Sequence, residues 1–286
     1  MTGELPARRL PSGSFGRVAF GLLAVSVMSG ISLVPFYAAA RPFESLERIE
    51  GGVPWGFFLR ALHAWSSWGV LVATVLHLAE ALRARTERQL SAGVWWRSVA
   101  LLPLGVGALL SGFVLRGDAG AVAALAIWRR ILEAVPVLGT EIARFLLGAP
   151  GDLSAAALHH AGTFTLLLWL ATAEHGLRLV PDVRSAALAA LASMALAGAI
   201  PVALGPPPGT ASGHLLLGPW YLLGLQGALL DLPAAAGWAG PLGLVLVLGA
   251  VRHAEGRRRS ALVALAALWA GLYLLFTVRI LLLSRG

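Results

Sequence analysis

The sequence predicts an all-α polytopic membrane protein: a four-helix bundle followed by three further transmembrane helices. Three observations predict it. Hydrophobic residues make up 58% of the 286 and charged residues only 13%, against about 25% charged in a soluble globular domain. Mean hydropathy is +0.79. Apolar runs of about 20 residues, each long enough to cross a hydrocarbon core, recur along the whole length.

Seven spans follow, which we letter in chain order: A about 14–39, B 54–83, C 92–115, D 153–180, E 184–204, F 234–252 and G 258–283. Span A, within "ARRLPSGSFGRVAFGLLAVSVMSGISLVPFYAAARP", has the basic flank and small residues of a signal peptide. Its apolar core exceeds the ~7–15 residues of such a segment and further spans follow, so it reads as a retained helix. Spans B to D complete the bundle, residues 1–182, and spans E to G form a second region, 183–286. The B–C, D–E and F–G links are short. The C–D link (116–152) and the E–F link (205–233) are long, and Pro and Gly break them into short pieces.

The net charge of +8 comes from arginine alone, since the chain has no lysine. The arginines fall mostly in short links, which reads as a membrane topology signal and not as a nucleic-acid surface. Arg8, Arg9, Arg17, Arg83, Arg85, Arg88 and Arg257 to Arg259 lie on the side of the N-terminus. Positive-inside counting places that side in the cytoplasm, leaving the two long links facing outward. Cysteine is absent, which excludes disulfides, thiolate metal sites, Cys-ligated iron–sulfur clusters and haem held through C-x-x-C-H. Any metal must be held by histidines or carboxylates.

Span B, "RALHAWSSWGVLVATVLHLAE", carries His63 and His77, although imidazole is costly in hydrocarbon. Fourteen helical residues return to within about 40° of the starting direction and advance about 21 Å. The two rings therefore share one face at two depths. Span D repeats the device: His160 and His175 are about 60° and about 22 Å apart, whereas His159 and His175 face about 160° apart. Geometry selects His160 over His159. Spans B and D run parallel, so His63 meets His160 at one depth and His77 meets His175 at the other. Each facing pair suits bis-imidazole ligation of haem iron. Structural or proton-relay histidines are the alternative.

Small residues repeat the period. Span A has Gly16 and Gly30, span C has Ser98 and Gly112. Antiparallel threading puts Gly30 and Gly112 at the depth of His63, and Gly16 and Ser98 at the depth of His77. A flat macrocycle lying against a helix needs a minimal side chain there, although glycine also serves membrane helix contacts generally.

These features resemble cytochrome b of the quinol–cytochrome c reductases, in the split, chloroplast-type form with 14/15 histidine spacing. The resemblance rests on the histidines, the small-residue pairs, "RALHAW", "PFYAAARPFESLERI", "SGFVLRGD" and "AVPVLGTEIARFLLG". "GPWYLLGLQGALL" and the two spans after it are similar to the separate three-helix subunit of split complexes, here fused on. The resemblance implies two b-type haems, a quinone (menaquinone or ubiquinone) and electron transfer across a bacterial inner membrane. It also implies a Rieske-type iron–sulfur partner, a c-type cytochrome partner and a homodimeric complex. Arg60, three residues before His63, and Arg178 are candidate partners of haem propionates, since guanidinium suits carboxylates.

The sequence departs from the family's pattern in three places. Its outer quinol motif Pro-Glu-Trp-Tyr reads Gly218, Pro219, Trp220, Tyr221 here, so the proton-accepting Glu is missing. Quinol oxidation needs an acceptor within reach, and Glu133 and Asp118 are candidates, with Tyr221 beside them. Leu115 is followed by Arg116 and Gly117 instead of Pro-Trp, and Glu80 stands where an arginine is usual. At the cytoplasmic end, Glu174, Arg178 and Asp182 are candidates to frame a second quinone site. A haem-b anchor for another oxidoreductase, and a haem-free transporter with buried histidines, are the competing functions.

Overall fold

The computed structural model describes residues 14–210 and 215–284; Arg8, Arg9 and the link residue His214 lie outside them. Every regular element in the described residues is helical. Helix α1 (Ser14–Leu33) ends in a short 3-10 turn at Pro35, where the imino ring removes a helical donor. After α2 (Pro42–Gly52), α3 (Gly56–Ala84) runs 29 residues and stops at Arg85, whose left-handed φ of 55° caps it. Helix α4 (Ala92–Val114) starts on the Ser91 hydroxyl, which accepts from Val94 N–H at 3.4 Å. Such side-chain caps satisfy donors that a helix start leaves open.

The fourth bundle helix is composite: α7 (Ser154–Leu158), a π-helical segment (His159–Phe164) and α8 (Thr165–Gly176) follow without a break. Helices α1, α3, α4 and α8 pack together. Phe20, Leu23, Leu101 and Leu168 from three of them fill the bundle's middle, with Val70 of α3 against them.

Helix α9 (Val183–Ala199) lies across α1 and α3. It ends before the expected residue 204 because Pro201 drives Ile200 into an extended conformation. Helix α11 (Ala236–Val251) packs on α4, where Trp95 donates its indole N–H to the Leu248 carbonyl at 3.0 Å. Helix α12 (Gly256–Leu283) packs on α10 (Leu223–Ala228) and α11. By length and composition four described helices can cross a membrane: Phe15–Phe36, Gly56–Ala84, Ala92–Val114 and Gly256–Leu283. Helices α9 and α11, at 17 and 16 residues, are shorter than the roughly 20 residues a perpendicular span needs.

The C–D link folds into α5 (Ala119–Glu133) and α6 (Gly139–Leu147). Trp128 and Leu147 join Leu110, Val114 and Leu153 in an apolar cluster that seats this link on the ends of α4 and α7. Asp118 is buried and caps α5 through Ala121 N–H at 2.8 Å. It also accepts from Gly205 N–H at 3.0 Å and from Arg116, tying the E–F link onto the same end. At the other end, buried Glu87 pairs with Arg259 of α12 at 2.7 Å, and Arg88 reaches Glu255 at 3.3 Å.

Candidate functional site

Four imidazoles meet inside the bundle as two pairs. We call the pair nearer the long C–D and E–F links outer and the other inner. The ring centres of His63 and His160 are 6.1 Å apart, and those of His77 and His175 are 5.8 Å apart. A metal ion held by two imidazole nitrogens at about 2.0 Å each leaves ring centres about 6 Å apart. Both pairs fit that span.

In the outer pair each ring is fixed from behind. His63 Nδ1 lies 2.9 Å from the Ser26 carbonyl and 3.3 Å from the Ser29 hydroxyl on α1. His160 Nδ1 lies 3.0 Å from the Ala108 carbonyl and 3.1 Å from the Ser111 hydroxyl on α4. A carbonyl only accepts, so each Nδ1 carries the proton and each Nε2 keeps its lone pair for a metal. The residues after those serines are Gly30 and Gly112. A Cβ on Gly30 would stand 3.0 Å from His63 Cε1, and one on Gly112 2.8 Å from His160 Cε1. Thus a Ser-Gly dipeptide on each facing helix anchors the ring with one residue and makes room with the next.

The inner pair is held differently. A Cβ on Gly16 would stand 2.8 Å from His77 Cε1. Behind His77, Nδ1 is 3.5 Å from a Glu80 carboxylate oxygen one turn along α3. His77 Nδ1 and His175 Nδ1 are both buried with no hydrogen-bond partner among the described residues. Ser98 turns its hydroxyl back to the Val94 carbonyl at 2.8 Å.

The fifteen-residue spacing on the fourth helix has a local cause. The π-helical segment starts at His159, and a π-bulge absorbs one extra residue without changing the phase of the flanking turns. Fifteen residues from His160 to His175 therefore do the work of fourteen in α3. Thr165 closes the segment by donating to the His160 carbonyl at 2.9 Å. His159 faces away and ties α6 to the bundle, with Nε2 at 2.9 Å from the Phe145 carbonyl.

A cavity of about 850 Å³ runs from the outer links past His63 and His160 to Thr74 and Thr172, one turn short of the inner pair. Arg60 lines it, 8% exposed, paired with Glu50 and donating to the Val202 carbonyl. Its Nε has no hydrogen-bond partner among the described residues. Arg116 lines the same wall, over the Phe113 ring at 4.8 Å. Tyr221 reaches the cavity and donates its hydroxyl to the Leu109 carbonyl at 2.9 Å. Glu133 is exposed at the end of α5, away from the lining residues. Among the described residues that line the cavity, Asp118 is the only carboxylate, and three donors already hold it.

At the inner end the three charged candidates have partners. Glu174 of α8 takes a two-point contact from Arg97 of α4, 2.7 Å at Nε. Arg178 pairs with Asp182 at 3.8 Å. Asp182 caps α9 through Ser185 N–H at 2.9 Å, which holds its carboxyl below the usual carboxylate range. Sequence reasoning missed Ser29, Ser111 and Arg97; the two Ser-Gly dipeptides were the available signal.

Fold and site together define a multi-pass helical membrane protein with two stacked imidazole pairs in one four-helix bundle. A family model described as cytochrome b/b6/petB matches residues 11–177, and the chain belongs to that family. It is 26% identical over 146 residues to the menaquinol:cytochrome c reductase cytochrome b subunit of Bacillus subtilis, 50% of this chain and 65% of that one. It is 27% identical over 157 residues to cytochrome b6 of Gracilaria tenuistipitata var. liui, 54% of this chain and 73% of that one. The chain thus spans less than two thirds of the length of the Bacillus subtilis relative. A chain of a hyperthermophilic respiratory Complex III shares the fold with a TM-score of 0.64 at 17% identity. That match covers 95% of this chain and 90% of the other.

Proposed function

We propose that the chain is the di-haem cytochrome b subunit of a membrane quinol–cytochrome c oxidoreductase-like complex, carrying electrons between two quinone sites. The observation that carries this is the two imidazole pairs, with ring centres 6.1 Å and 5.8 Å apart at two depths. His63 and His160 would hold the outer haem, His77 and His175 the inner one. Haem iron supplies one-electron redox chemistry when bound. The chain's own residues set the ligand tautomer, clear space through Gly16, Gly30 and Gly112, and exclude water from the bundle's middle. Arg60 and Arg116 place guanidinium groups on the cavity wall, where an anionic propionate finds a partner.

The chain has no cysteine, so iron–sulfur and c-type haem functions fall to a Rieske-type protein and a c-type cytochrome in the complex. We place it in a bacterial inner membrane as a homodimeric assembly with a cytoplasmic N-terminus. A reduced-minus-oxidised spectrum of the purified chain tests the haem assignment. His63→Ala and His77→Ala are each expected to remove one of two b-type components. Absence of b-type absorbance in the unmodified chain defeats the proposal.

One observation favours a second reading, a haem-b anchor linking the quinone pool to another oxidoreductase. Pro219 stands where a proton-accepting Glu is expected, and the lone lining carboxylate, Asp118, is already held by three donors. Co-purification of a Rieske-type protein selects the first reading, and its replacement by a different oxidoreductase selects the second.

A further inference from the structure

The outer cavity is lined by polar side chains that are mostly committed elsewhere. Tyr37 donates its hydroxyl to the Leu115 carbonyl at 2.8 Å, and Tyr221 donates to the Leu109 carbonyl at 2.9 Å. Asp118 is held by three donors. Arg60 is nearly closed off and engages Glu50 and the Val202 carbonyl. Arg116 differs. Its side chain is 23% exposed on the cavity wall, and Asp118 engages its Nη2. Its Nε has no hydrogen-bond partner among the described residues, so the fork keeps donors to spare. The guanidinium carbon sits 4.8 Å from the centre of the Phe113 ring, which lines the same cavity. Burial pushes the Tyr221 phenol up and Arg116 draws it down, so the cation lies within electrostatic reach of that ring. Asp118 offsets the charge only in part, because it also serves two backbone N–H groups and the positive end of α5.

We propose that Arg116 is a specificity-determining residue of the outer site, donating to an ionised oxygen on a quinone-type ring. The inference rests on the reading that this cavity serves a quinone beside the outer haem. A guanidinium stays protonated, so it takes no proton from a quinol and instead holds the oxygen once that proton has gone to water. The O–H bond breaks, its electron pair stays on oxygen, and no electron leaves the ring in this step. A flat ring also has aromatic partners here in Phe113, Tyr37 and Tyr221. Hydrogen bonds between charged groups are the strong class, so the site should prefer an anionic ring to its neutral parent.

The test is the binding of two probes to the purified full-length protein: a hydroxynaphthoquinone, ionised at neutral pH, and the uncharged parent naphthoquinone. Quenching of tryptophan fluorescence reads both, since Trp68 and Trp220 line the cavity. The chain has no cysteine to add to either ring. The unmodified chain is expected to bind the hydroxy compound more tightly. Arg116→Gln is expected to weaken that compound about tenfold or more and the neutral one less than about threefold. Breaking a buried pair from one side can unsettle a fold, so Arg116→Gln is also combined with Asp118→Asn. That double variant keeps the net charge and should lose the same preference, which assigns the loss to the contact with Arg116. Equal weakening of both probes, or of neither, with b-type absorbance intact overturns the proposal and leaves the haem reading standing. Loss of the outer b-type component in Arg116→Gln also overturns it, since the guanidinium would then hold a haem propionate. Absence of b-type absorbance in the unmodified chain defeats the haem reading and this inference with it.

Discussion

The outer and inner imidazole pairs use the same spacing but different supports. At the outer pair, α1 and α4 each present a Ser-Gly dipeptide, so both rings have a hydroxyl, a backbone carbonyl and an empty Cβ position around them. At the inner pair only Gly16 supplies such space, and Ser98 occupies the fourth small-residue position with its hydroxyl turned to its own helix. Behind the inner rings neither Nδ1 has a hydrogen-bond partner among the described residues, and a Glu80 carboxylate oxygen stands 3.5 Å from that of His77. The difference teaches that the spacing of the rings and the support behind them are separable. Both pairs reach nearly the same ring separation, while the groups behind the rings differ.

The largest expected effect comes from filling a cradle. Gly112→Val puts carbon where His160 Cε1 is already 2.8 Å from an added Cβ, so the ring must leave its position. The outer b-type component is expected to be lost while the inner one remains. Gly16→Val is expected to do the reverse through His77. If either substitution removes both components, the two sites are not independent and the comparison between them breaks. The spectrum of each purified variant decides.

Much of this was legible in the sequence because its physics is local. Spans of about 20 apolar residues, a fourteen-residue histidine period and small residues in matching register need only helix geometry. The same geometry separates His160 from His159, and the structure has His159 turned to the Phe145 carbonyl. Less legible were features set by contacts between distant segments. Asp118 looked available as a proton acceptor, yet it joins α5 to Gly205, 87 residues later. Glu174 was a candidate to frame the inner quinone site, and Arg97 of another helix holds it at 2.7 Å. No periodicity in one segment reports such pairings, which depend on how helices far apart in sequence are brought side by side.

A smaller effect should follow from the outer serines. The carbonyls of Ser26 and Ala108 survive any side-chain change, so Ser29→Ala with Ser111→Ala removes only the hydroxyl half of each anchor. Removing outer partners of a metal ligand typically weakens metal binding about 10–100-fold, and the retained carbonyls argue for the lower end. The double variant is therefore expected to release the outer haem about tenfold more readily on detergent dilution. Release of the inner haem should be unchanged. Equal release from both sites would mean that the serines steady the bundle and not the outer ligands.

The smallest expected effect concerns the fourth helix, where the two histidine-bearing helices differ most in backbone. Helix α3 runs without interruption between its histidines, whereas the π-helical segment at His159–Phe164 absorbs the fifteenth residue on the other side. If that is its function, the extra residue can be removed. A Cβ built at Gly162 meets no atom within 4 Å, so this glycine fills no contact that its loss would empty. Deleting Gly162 should let the segment close as regular α-helix and return the spacing to fourteen. The two imidazoles would then stay about 40° apart and about 21 Å along the axis, as on α3. Both b-type components are expected to persist. Had the segment continued as ordinary α-helix, removing a residue would swing one ligand by about 100° and cost a haem. Loss of either component on deletion would show that the π turn sets the direction of His160 itself and does not merely take up the count.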